Sequence, residues 1–487
     1  MTAHDSLLWR AARTPTAPAL ETASGCWSFE VLAERARRGA DYLRSSVGPG
    51  DAPIALLLDG SAEFAAWFHA VVLAGRAALP LNLRLTAGEL ARQLEDARAC
   101  VLLGHPQDPR LLQLAEQVPG LRVQVAPAFE TLPAPAEHWS AEPVDDDAPI
   151  AVLYTSGTSG RAKGACLSWN NFRASALATE DRLGAVAVRG RWLACMPLFH
   201  VGGLSMLMRS VLFGGPVRLL PRFDVAEVSD ALDHGDIAGV SLVPTMLSRL
   251  LLHRSGRAAP PGLAVLLLGG AAAAPELLER ALAAGYPVCP TYGLTEATSQ
   301  VATAAPPRAG AMHASPVLPL RGTDVRIVAE GGDLPPGSPG EIVVRGPTVM
   351  RGYLHDADAS TRALRDGWLY TGDVGYLDAD GGLHVLDRRD DLVVSGGENV
   401  YPAEIEAVLL EHPSVLEAGV TGLPDADLGA RVVAWVVLAP GAQFDVGALQ
   451  RHCRTRLAGF KQPREFRVVD ALPRTASGKL QRRRLAG

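Results

Sequence analysis

Short apolar runs alternate with segments of helical periodicity along the first two thirds of the chain. The 3.6-residue spacing of apolar positions predicts helices over residues 29–46 and 62–74, the second of them amphipathic. Uninterrupted apolar runs predict buried strands at residues 53–58, 150–154, 238–243 and 264–268, with a further helix at residues 245–253. Alternation of this kind is typical of parallel sheets covered by helices.

The pattern changes after residue 324, where short strand-like segments are separated by turns rich in Gly, Pro and Asp. The segments at residues 325–328, 341–345 and 382–385 predict a small barrel-like unit at the end of the first domain. A compact α+β region is predicted beyond residues 388–391, with helices at residues 402–411 and 446–457 and strands at residues 415–420 and 431–438. We therefore expect two domains, at residues 1–387 and 388–487.

The composition is that of a large globular protein with a modest negative charge. Of the 487 residues, 48% are hydrophobic and 20% are charged, and the formal net charge is −6. Such a chain is not typical of nucleic-acid binders or of proteins attracted to anionic membranes. No apolar run reaches the ~18 residues that cross a bilayer, and residues 1–21 lack the apolar segment of a secretory signal. We expect a cytoplasmic protein without integral membrane contact, and we leave a homo-oligomer open.

Cysteine and lysine are both used in an informative way. The six cysteines lie far apart, which fits neither a disulfide framework nor a zinc site, so reduced thiols are expected. Of the 46 basic residues, only Lys163, Lys461 and Lys479 are lysines. An ammonium is a compact point charge on a flexible stem, whereas a guanidinium is a wide planar fork. Lysine at these three positions therefore suggests a specific use of its charge.

The first of these lysines closes a loop of small residues that follows the strand predicted at residues 150–154. The loop reads Tyr154-Thr155-Ser156-Gly157-Thr158-Ser159-Gly160-Arg161-Ala162-Lys163-Gly164. Small side chains let a polyphosphate approach the backbone, hydroxyl and N–H groups donate to its oxygens, and Lys163 adds a charge. A flexible Ser/Gly turn is the alternative. The pattern is not that of a Walker A loop, because no Ser or Thr follows Lys163.

This loop resembles the phosphate loop of the adenylate-forming superfamily, which comprises acyl-CoA synthetases, adenylation domains and luciferases. Further stretches resemble motifs of that superfamily in the same order, at residues 291–296, 370–373, 395–402 and 473–479. The resemblance extends from about residue 20 to Arg484. It implies an α/β fold with a large N-terminal domain of two parallel or mixed α/β sheets plus a small β-barrel, and a mobile C-terminal α+β domain.

The resemblance also implies which residues hold ATP and Mg²⁺. The phosphate contacts would come from Thr155, Ser156, Gly157, Thr158, Ser159, Gly160 and Lys163. Tyr292 would stack on adenine beside Gly293, Thr295 would meet the α-phosphate, and Glu296 would hold Mg²⁺. The last role agrees with the preference of Mg²⁺ for carboxylate and phosphate oxygens. A helix N-terminus capped by Thr295 is the structural alternative, and it leaves Tyr292 and Gly293 unexplained.

Further roles follow by resemblance for the second half of the chain. Asp373, in a turn after Trp368, would receive the ribose hydroxyls together with Arg388. Asp390 would be the hinge between the domains. Gly396 and Gly397 would let the thin pantetheine arm of coenzyme A pass along the backbone. An ordinary turn at Asp373 and an ordinary loop at residues 395–402 are the alternatives.

The implied reaction has two steps, and Lys479 serves the first. A carboxylate attacks the α-phosphate of ATP to give an acyl-adenylate and pyrophosphate while Lys479 bridges the carboxylate and the phosphate. The C-terminal domain then turns about Asp390, residues 395–399 move inward, and a thiol such as that of coenzyme A attacks the anhydride. Lys461 is a weaker candidate for a contact with coenzyme A or AMP.

The acid is indicated by residues 197–210, Pro-Leu-Phe-His-Val-Gly-Gly-Leu-Ser-Met-Leu-Met-Arg-Ser. This stretch resembles o-succinylbenzoate–CoA ligases of menaquinone biosynthesis, as do Ser299 and Gln300. Because o-succinylbenzoate has two carboxylates, the one that is not activated needs a cation, and Arg209 fits that role. His200 would close the acyl pocket. A surface or interdomain ion pair is the alternative role for Arg209.

One departure from the superfamily pattern leaves open which carboxylic acid is the substrate. Relatives carry a Gly-Ser-x-Gly-x-Pro turn after the stretch that corresponds to residues 291–296, here called the metal segment. This chain instead reads His313-Ala314-Ser315-Pro316-Val317. The alternatives are therefore a coenzyme A ligase for another aryl, medium-chain or dicarboxylic acid, and a stand-alone adenylation enzyme that loads a carrier protein. A regulatory pseudo-enzyme is disfavoured because Glu296 and Lys479 are both present.

Overall fold

A computed structural model of the chain describes residues 6–48, 50–136, 139–141, 145–155, 162–271, 273–308, 313–330, 332–388, 393–395, 398–400, 402–425, 428–457, 459–475, 478 and 480–486. The α-helices of this part are α1 (Ser6–Arg13), α2 (Phe29–Val47), α3 (Ala62–Leu73), α4 (Ala87–Asp96), α5 (Arg110–Gln117), α6 (Trp169–Leu183), α7 (Ala185–Arg189), α8 (Val201–Phe213), α9 (Val225–His234), α10 (Pro244–Arg254), α11 (Pro275–Ala283), α12 (Ala357–Ala363), α13 (Pro402–Leu410) and α14 (Val446–Arg454).

The β-strands of the first half of the same part are β1 (Pro18–Thr22), β2 (Gly25–Ser28), β3 (Ile54–Leu57), β4 (Ala78–Pro80), β5 (Val101–Gly104), β6 (Arg122–Val125), β7 (Pro149–Thr155), β8 (Lys163–Ser168), β9 (Arg191–Ala194), β10 (Val217–Leu219), β11 (Ile237–Leu242), β12 (Val265–Leu268) and β13 (Val288–Tyr292). Those of the second half are β14 (Ala302–Ala304), β15 (Val317–Pro319), β16 (Asp324–Ala329), β17 (Gly332–Asp333), β18 (Gly340–Arg345), β19 (Leu364–Arg365), β20 (Trp368–Leu377), β21 (Leu383–Arg388), β22 (Val393–Ser395), β23 (Glu398–Val400), β24 (Val415–Asp425), β25 (Gly429–Leu438) and β26 (Glu465–Val468).

The strands that flank the phosphate loop belong to a six-stranded sheet with the order β6-β5-β3-β4-β7-β8. The strands are parallel except for β8, which pairs antiparallel with β7. Every residue of β3 and β5 is buried, as their continuous apolar runs predict. The phosphate loop is therefore the connection of the β7–β8 hairpin, at one edge of this sheet.

Helix α3 is confirmed in place, but the expectation that it is amphipathic is wrong. Every residue of α3 except Glu63 is buried. The helix packs between α2 and the strands β1, β3 and β4, so that no broad face is left for water. A helix that is apolar all round is typical of the core of a large protein.

The second sheet has nine strands in the order β15-β14-β13-β12-β11-β9-β10-β1-β2. The six strands from β13 to β1 in this order are parallel, and antiparallel strands extend the sheet at both edges. The predicted strands at residues 238–243 and 264–268 are confirmed as β11 and β12. Strands β9 and β13 lead from their carboxyl ends into the candidate acyl and metal segments, which is where parallel α/β sheets bind ligands.

The region after residue 324 is an antiparallel six-stranded sheet rather than a set of isolated hairpins. Its order is β17-β16-β18-β20-β19, with β21 on the remaining part of β20. Within the described residues, no strand pairing closes this sheet into a barrel, so the barrel stays a prediction. Strand β21 ends at Arg388, and the domain boundary that we placed beside it also stays a prediction.

The C-terminal region has its own core, as an α+β domain requires. Strands β24, β25 and β26 form a three-stranded sheet, and β22 pairs with β23 in a separate hairpin. Apolar residues of α13 and α14, among them Ile405, Leu409 and Leu449, pack with Val420 and Val436 of the sheet. Pro402 at the start of α13 supplies the fixed φ that favours a helix start.

The cysteines form no disulfide, and most of them are buried. All six cysteines are free, and Cys166, Cys195, Cys289 and Cys453 are buried, whereas Cys26 is exposed. Burial raises the pKa of the Cys195 and Cys289 thiols to about 12. Among the described residues, no helix combines the length and the apolarity that a bilayer span requires.

Burial of His69 should make the free energy of unfolding depend on pH in the acid range. This buried residue of α3 has a pKa that burial lowers from 6.5 to about 4. Below pH 6.5 the unfolded chain binds a proton that the folded chain refuses until about pH 4, so stability is fully present above pH 6.5 and falls as the pH falls towards 4. Between pH 6.5 and 5 the loss is about 2 kcal/mol.

We expect His69→Leu to flatten this acid dependence of the thermal midpoint, measured by differential scanning fluorimetry from pH 4.5 to 7.5. The control is His253→Leu, because His253 is exposed. An acid dependence that is equally steep in His69→Leu and wild type would contradict the assignment to His69.

Candidate functional site

The two ends of the phosphate loop are fixed by the β7–β8 hairpin. Thr155 ends β7 and is paired in register with Lys163, which begins β8. The predicted contacts Ser156, Gly157, Thr158, Ser159 and Gly160 lie outside the described residues. Their position in the chain nevertheless follows from the hairpin, since residues 156–162 connect its two strands.

Glu296 brings the phosphate loop and the metal segment together. It lies in a 3₁₀ turn, Thr295–Ala297, that follows β13. Its Oε1 accepts hydrogen bonds from Thr155 Oγ1 at 3.3 Å and from the Tyr353 hydroxyl at 3.0 Å. Thr295 begins this turn and its carbonyl accepts from the Thr298 N–H at 3.0 Å, so it is not the N-cap of a longer helix.

Tyr353 is a site residue that the sequence analysis missed. Residues 350–354 run along β8: the Cys166 N–H donates to the Gly352 carbonyl at 3.0 Å, and the Leu354 N–H donates to the Gly164 carbonyl at 2.8 Å. The Tyr353 ring lies below the Lys163 ammonium, with 5.2 Å between Nζ and the ring centroid. The only local signal was a glycine before an aromatic residue, which is too common to indicate a site.

The turn after Glu296 is strained and needs the glycine at position 293. Thr298 and Ser299 both have positive φ, at 50° and 84°, which is unfavourable for residues with a Cβ. This turn directs the Ser299 carbonyl at Gly293, where a Cβ atom would lie only 1.5 Å from the oxygen. Gly293 is therefore required for close backbone approach, whatever else it contacts.

Helix α6 holds the strained turn through a stripe of polar side chains spaced four residues apart. Ser175 Oγ donates to the Thr298 carbonyl at 2.8 Å. The Thr179 hydroxyl lies 2.8 Å from Gln300 Oε1 and 2.7 Å from the Ser175 carbonyl, and either oxygen can accept its one proton. Gln300 Nε2 donates in turn to Thr303 Oγ1 at 3.0 Å. All of these side chains are buried, and buried polar groups that are fully paired specify one arrangement. The stripe therefore fixes the backbone on both sides of Ser299.

Tyr292 and Asp373 come together from distant parts of the chain. The Tyr292 hydroxyl donates to Asp373 Oδ2 at 2.7 Å, and Asp373 is buried. The expectation of a turn at Asp373 is wrong, because the residue lies within strand β20. A break in register opposite β18 and a φ of 71° at Gly372 bulge the strand here and aim the carboxylate at Tyr292.

Four further residues with predicted roles, Arg388, Asp390, Gly396 and Gly397, lie partly or wholly outside the described structure. The backbone of Arg388 pairs in register with Asp373, while the side chain of Arg388 lies outside the described part. Asp390, Gly396 and Gly397 lie wholly outside it.

His200 lies at the start of α8, where β9 delivers the chain to the candidate acyl pocket. Its carbonyl accepts from the Leu204 N–H at 2.9 Å, so that it caps the helix through its backbone. Burial, and then the positive charge of Arg84, lower the pKa of His200 to about 4. The imidazole is therefore neutral at physiological pH, and its Nε2 is buried without a hydrogen-bond partner among the described residues.

Arg209 lies on the same helix and is 7% exposed. Its Nε donates to the Ser205 carbonyl at 3.4 Å, which turns the guanidinium back towards the start of α8. The guanidinium lies over the Trp192 ring, 4.6 Å from the centroid. One of its amino groups and the Ser205 hydroxyl are buried without hydrogen-bond partners in the described part of the chain.

Burial lowers the pKa of Arg209 to about 10, so it still carries its charge at neutral pH. No carboxylate within the described ranges lies at ion-pair distance from it, whereas the buried Arg254 pairs with Asp233 at 2.7 Å. A surface ion pair is therefore wrong for Arg209, because the side chain is buried. An unpaired guanidinium in a buried position favours a bound anion.

The end of helix α8 is held from outside the pocket. Arg10 of α1 donates from Nε to the Val211 carbonyl at 2.9 Å and from a terminal nitrogen to the Leu212 carbonyl. These are carbonyls of the last turn, which lack partners within the helix. Gly214 ends the helix at a φ of 82°. Helix α8 is thus anchored at the end remote from His200.

The C-terminal segment that carries Lys479 lies against the large domain. Lys479 itself is outside the described residues, but a Cβ placed on Gly478 would lie 3.6 Å from Thr245 Oγ1 and from a methyl of Val243. Arg474 fixes this segment, since it donates to the Gly478 carbonyl at 2.8 Å and pairs with Glu417 at 2.8 Å. Lys461, the weaker candidate, forms an ion pair with Glu404 at 2.7 Å.

The described donor set fits a magnesium ion only if phosphate oxygens complete it. No group of three or more His, Cys, Asp or Glu side chains that could hold a metal occurs in the described ranges. Glu296 supplies one carboxylate next to the phosphate loop, and Mg²⁺ is commonly held by one or two carboxylates together with substrate phosphates. The residues present therefore fit the ion.

Comparisons with known proteins identify related families, proteins and structures. The family described as "AMP-binding enzyme" matches residues 7–354, and "AMP-binding enzyme C-terminal domain" matches residues 404–479. A 2-succinylbenzoate–CoA ligase of Geobacillus sp. (strain WCH70) is 40% identical over 98% of this chain and 96% of its own length.

Two solved structures of o-succinylbenzoate CoA synthetase from Bacillus subtilis, each 37% identical, cover 99% of this chain and 98% of their own. The complex with the acyl-adenylate intermediate OSB-AMP has a TM-score of 0.90, whereas a double mutant bound to the product analogue OSB-NCoA has 0.74. The overall structure of this chain is therefore more similar to the adenylate complex than to the complex with the product analogue.

The polar stripe on α6 generates a prediction that separates positioning from general stability. Thr179→Val removes a buried hydroxyl that lies within hydrogen-bond distance of Gln300 Oε1 and of the Ser175 carbonyl, with almost no change in side-chain shape, at a cost of about 1–3 kcal/mol. We expect a lower thermal midpoint and weaker ATP binding, measured by calorimetry, because the strained turn at Ser299 relaxes. The control is Thr131→Val, which removes an exposed hydroxyl that donates at 2.7 Å to the Ala128 carbonyl. Unchanged ATP binding in Thr179→Val would contradict a positioning role.

Proposed function

Because the chain belongs to the family of AMP-binding enzymes, we propose that it converts o-succinylbenzoate, ATP and coenzyme A into o-succinylbenzoyl-CoA, AMP and pyrophosphate. The reaction proceeds through an enzyme-bound acyl-adenylate. This activity is a step of menaquinone biosynthesis, as the resemblance to o-succinylbenzoate–CoA ligases implies.

The observation that carries this choice of acid is the buried, unpaired charge of Arg209. Arg209 lies nine positions after His200, about 13 Å further along the helix axis, and its side chain turns back over part of that distance. We propose that the carboxylate that is not activated binds at Arg209, which requires an acid about as long as an aryl dicarboxylic acid. A monocarboxylic acid would leave the guanidinium buried without an anion, which is strongly unfavourable.

Different residues would recognise the adenine, the ribose and the phosphates of ATP. Tyr292 offers a ring for the adenine, and its hydrogen bond to Asp373 fixes both side chains before ATP arrives. Asp373 accepts only, which suits two ribose hydroxyls. Lys163 and the loop backbone meet the phosphates, with Thr155 at the loop entrance. Preorganisation of this kind lowers the ordering cost of binding.

Glu296 would hold the magnesium ion against the phosphates of ATP. When bound, the ion neutralises charge that develops on the phosphate oxygens. The protein contributes the carboxylate, its two hydrogen-bond donors and the turn that aims it. The attack of the acid on the α-phosphate then depends mainly on alignment of the two substrates.

The first half-reaction is favoured by the arrangement of the two regions. Gly478 lies against Val243 and Thr245, which follow the carboxyl end of β11, and Lys479 is the next residue in the sequence. We propose that Lys479 bridges the acid and the α-phosphate here and that a rotation about Asp390 replaces it with residues 395–399 for the transfer to coenzyme A. Coenzyme A is the acceptor that the curated relative's name indicates, and a carrier-protein thiol is the alternative.

The choice of acid is tested by AMP formation with o-succinylbenzoate, benzoate, cinnamate and octanoate. We expect wild type to prefer o-succinylbenzoate and Arg209→Leu to lose about 100-fold or more in kcat/KM for it, because a buried carboxylate loses its cation. Activity with monocarboxylic acids, if any, should not fall. The control is Arg76→Leu, which removes a buried guanidinium whose hydrogen bonds to other described residues all go to backbone carbonyls and to Cys100 Sγ. Preference for a monocarboxylic acid that is indifferent to Arg209 would overturn the substrate and keep the ligase.

The role of Lys479 is tested by separating the half-reactions. Lys479→Ala should slow ATP–pyrophosphate exchange by about 100- to 1000-fold, as expected when a preorganised charge is lost at a developing phosphorane. Transfer to coenzyme A from supplied acyl-adenylate should be largely retained, and this second step is the internal control. Equal loss in both steps would contradict a role confined to adenylation.

A further inference from the structure

The Tyr353 hydroxyl touches the carboxylate that would bind the metal, although Tyr353 lies 57 residues away in sequence. It donates at 3.0 Å to the same oxygen, Oε1, that accepts from Thr155 at 3.3 Å. No described group donates to the other oxygen, Oε2. Two donors on one oxygen restrict the rotation of a carboxylate and leave its second oxygen available.

The backbone around Tyr353 is fixed from three directions. Its N–H donates to Ser360 Oγ at 2.8 Å, and its neighbours Gly352 and Leu354 pair with β8. The Met350 N–H donates at 2.8 Å to the carbonyl of Glu296 itself. The segment that positions the Tyr353 hydroxyl against the Glu296 carboxylate therefore also holds the backbone of Glu296.

The ring of Tyr353 makes a second, separable contact. It lies 5.2 Å below Nζ of Lys163, a distance at which a cation and an aromatic face attract. One side chain thus meets both the metal carboxylate and the phosphate lysine. Hydroxyl and ring can be removed one at a time, by substitution with Phe and with Leu.

We propose that Tyr353 is a positioning residue that orients Glu296, so that Oε2 alone points to the magnesium ion of the ATP complex, while its ring steadies Lys163. The proposal rests on the metal role of Glu296 given above, and it adds a residue that acts through Glu296. Groups that orient a metal ligand commonly change metal affinity 10- to 100-fold when removed.

The test measures metal binding rather than turnover. Mn²⁺ replaces Mg²⁺, and its affinity for the enzyme–ATP complex is read by electron paramagnetic resonance. ATP binding in EDTA is measured in parallel by calorimetry. We expect Tyr353→Phe to weaken Mn²⁺ binding about tenfold and to leave metal-free ATP binding unchanged. Tyr353→Leu should weaken Mn²⁺ binding similarly and also weaken metal-free ATP binding about two- to fivefold, because the contact with Lys163 is lost.

Two further variants make the outcome decisive. Tyr42→Phe removes another tyrosine hydroxyl, which donates to Gln124 at 3.0 Å outside the site, and should change neither affinity. In a Glu296→Gln background, Tyr353→Phe should have almost no further effect on Mn²⁺ binding, because the carboxylate that it orients is gone.

The outcomes separate this inference from the proposed function. Full Mn²⁺ affinity in Tyr353→Phe, or an undiminished effect of that substitution in Glu296→Gln, would overturn the positioning role and leave the ligase intact. Failure of wild type to bind Mn²⁺ with ATP would overturn the metal role of Glu296, and with it the positioning role of Tyr353. A thermal scan of Tyr353→Phe identifies a folding defect, and a defect that accounts for the whole loss of metal affinity would also overturn the inference.

Discussion

The site depends on one constraint, the placement of the Glu296 carboxylate between strands that belong to different sheets. Thr155 comes from the end of β7, Tyr353 from the segment that follows β18, and Glu296 from the turn after β13. Each hydrogen bond alone is weak. Together they set the spacing between the ends of β7 and β13 and the segment after β18, so the nine-stranded sheet and the two six-stranded sheets cannot shift independently without a change at this carboxylate.

The turn that carries Glu296 is maintained against its own backbone preference. Two successive residues with positive φ are unfavourable, and the turn persists because α6 donates to it from Ser175 and Thr179. The buried polar side chains of α6, Ser175 and Thr179, are explained by their role in holding this turn. A buried hydroxyl or amide is unfavourable unless it has a hydrogen-bond partner. Here each hydrogen bond also fixes a part of the turn that follows Glu296.

Arg209 shows the opposite case, a buried polar group that the described protein leaves incompletely paired. The guanidinium is supported by Trp192 and by one carbonyl of its own helix, and the Ser205 hydroxyl beside it also lacks a partner among the described residues. A protein that evolved only for stability would replace such a residue by an apolar one of similar volume. A bound anion would supply the partner that the described residues do not.

Periodicity and local motifs determined much of this protein from the sequence alone. Continuous apolar runs identified β3, β7, β11 and β12, because strands buried on both faces leave no polar positions. The loop before Lys163 and the stretch from Tyr292 to Glu296 predict phosphate and metal binding, since such binding requires particular groups at short spacing, and these roles stay predictions. Only the tertiary structure decided that α3 is buried all round, that Asp373 lies in a bulged strand, and that Tyr353 and Thr179 belong to the site. These features depend on contacts between residues far apart in the chain, and a local pattern carries no record of which distant segment completes a hydrogen bond.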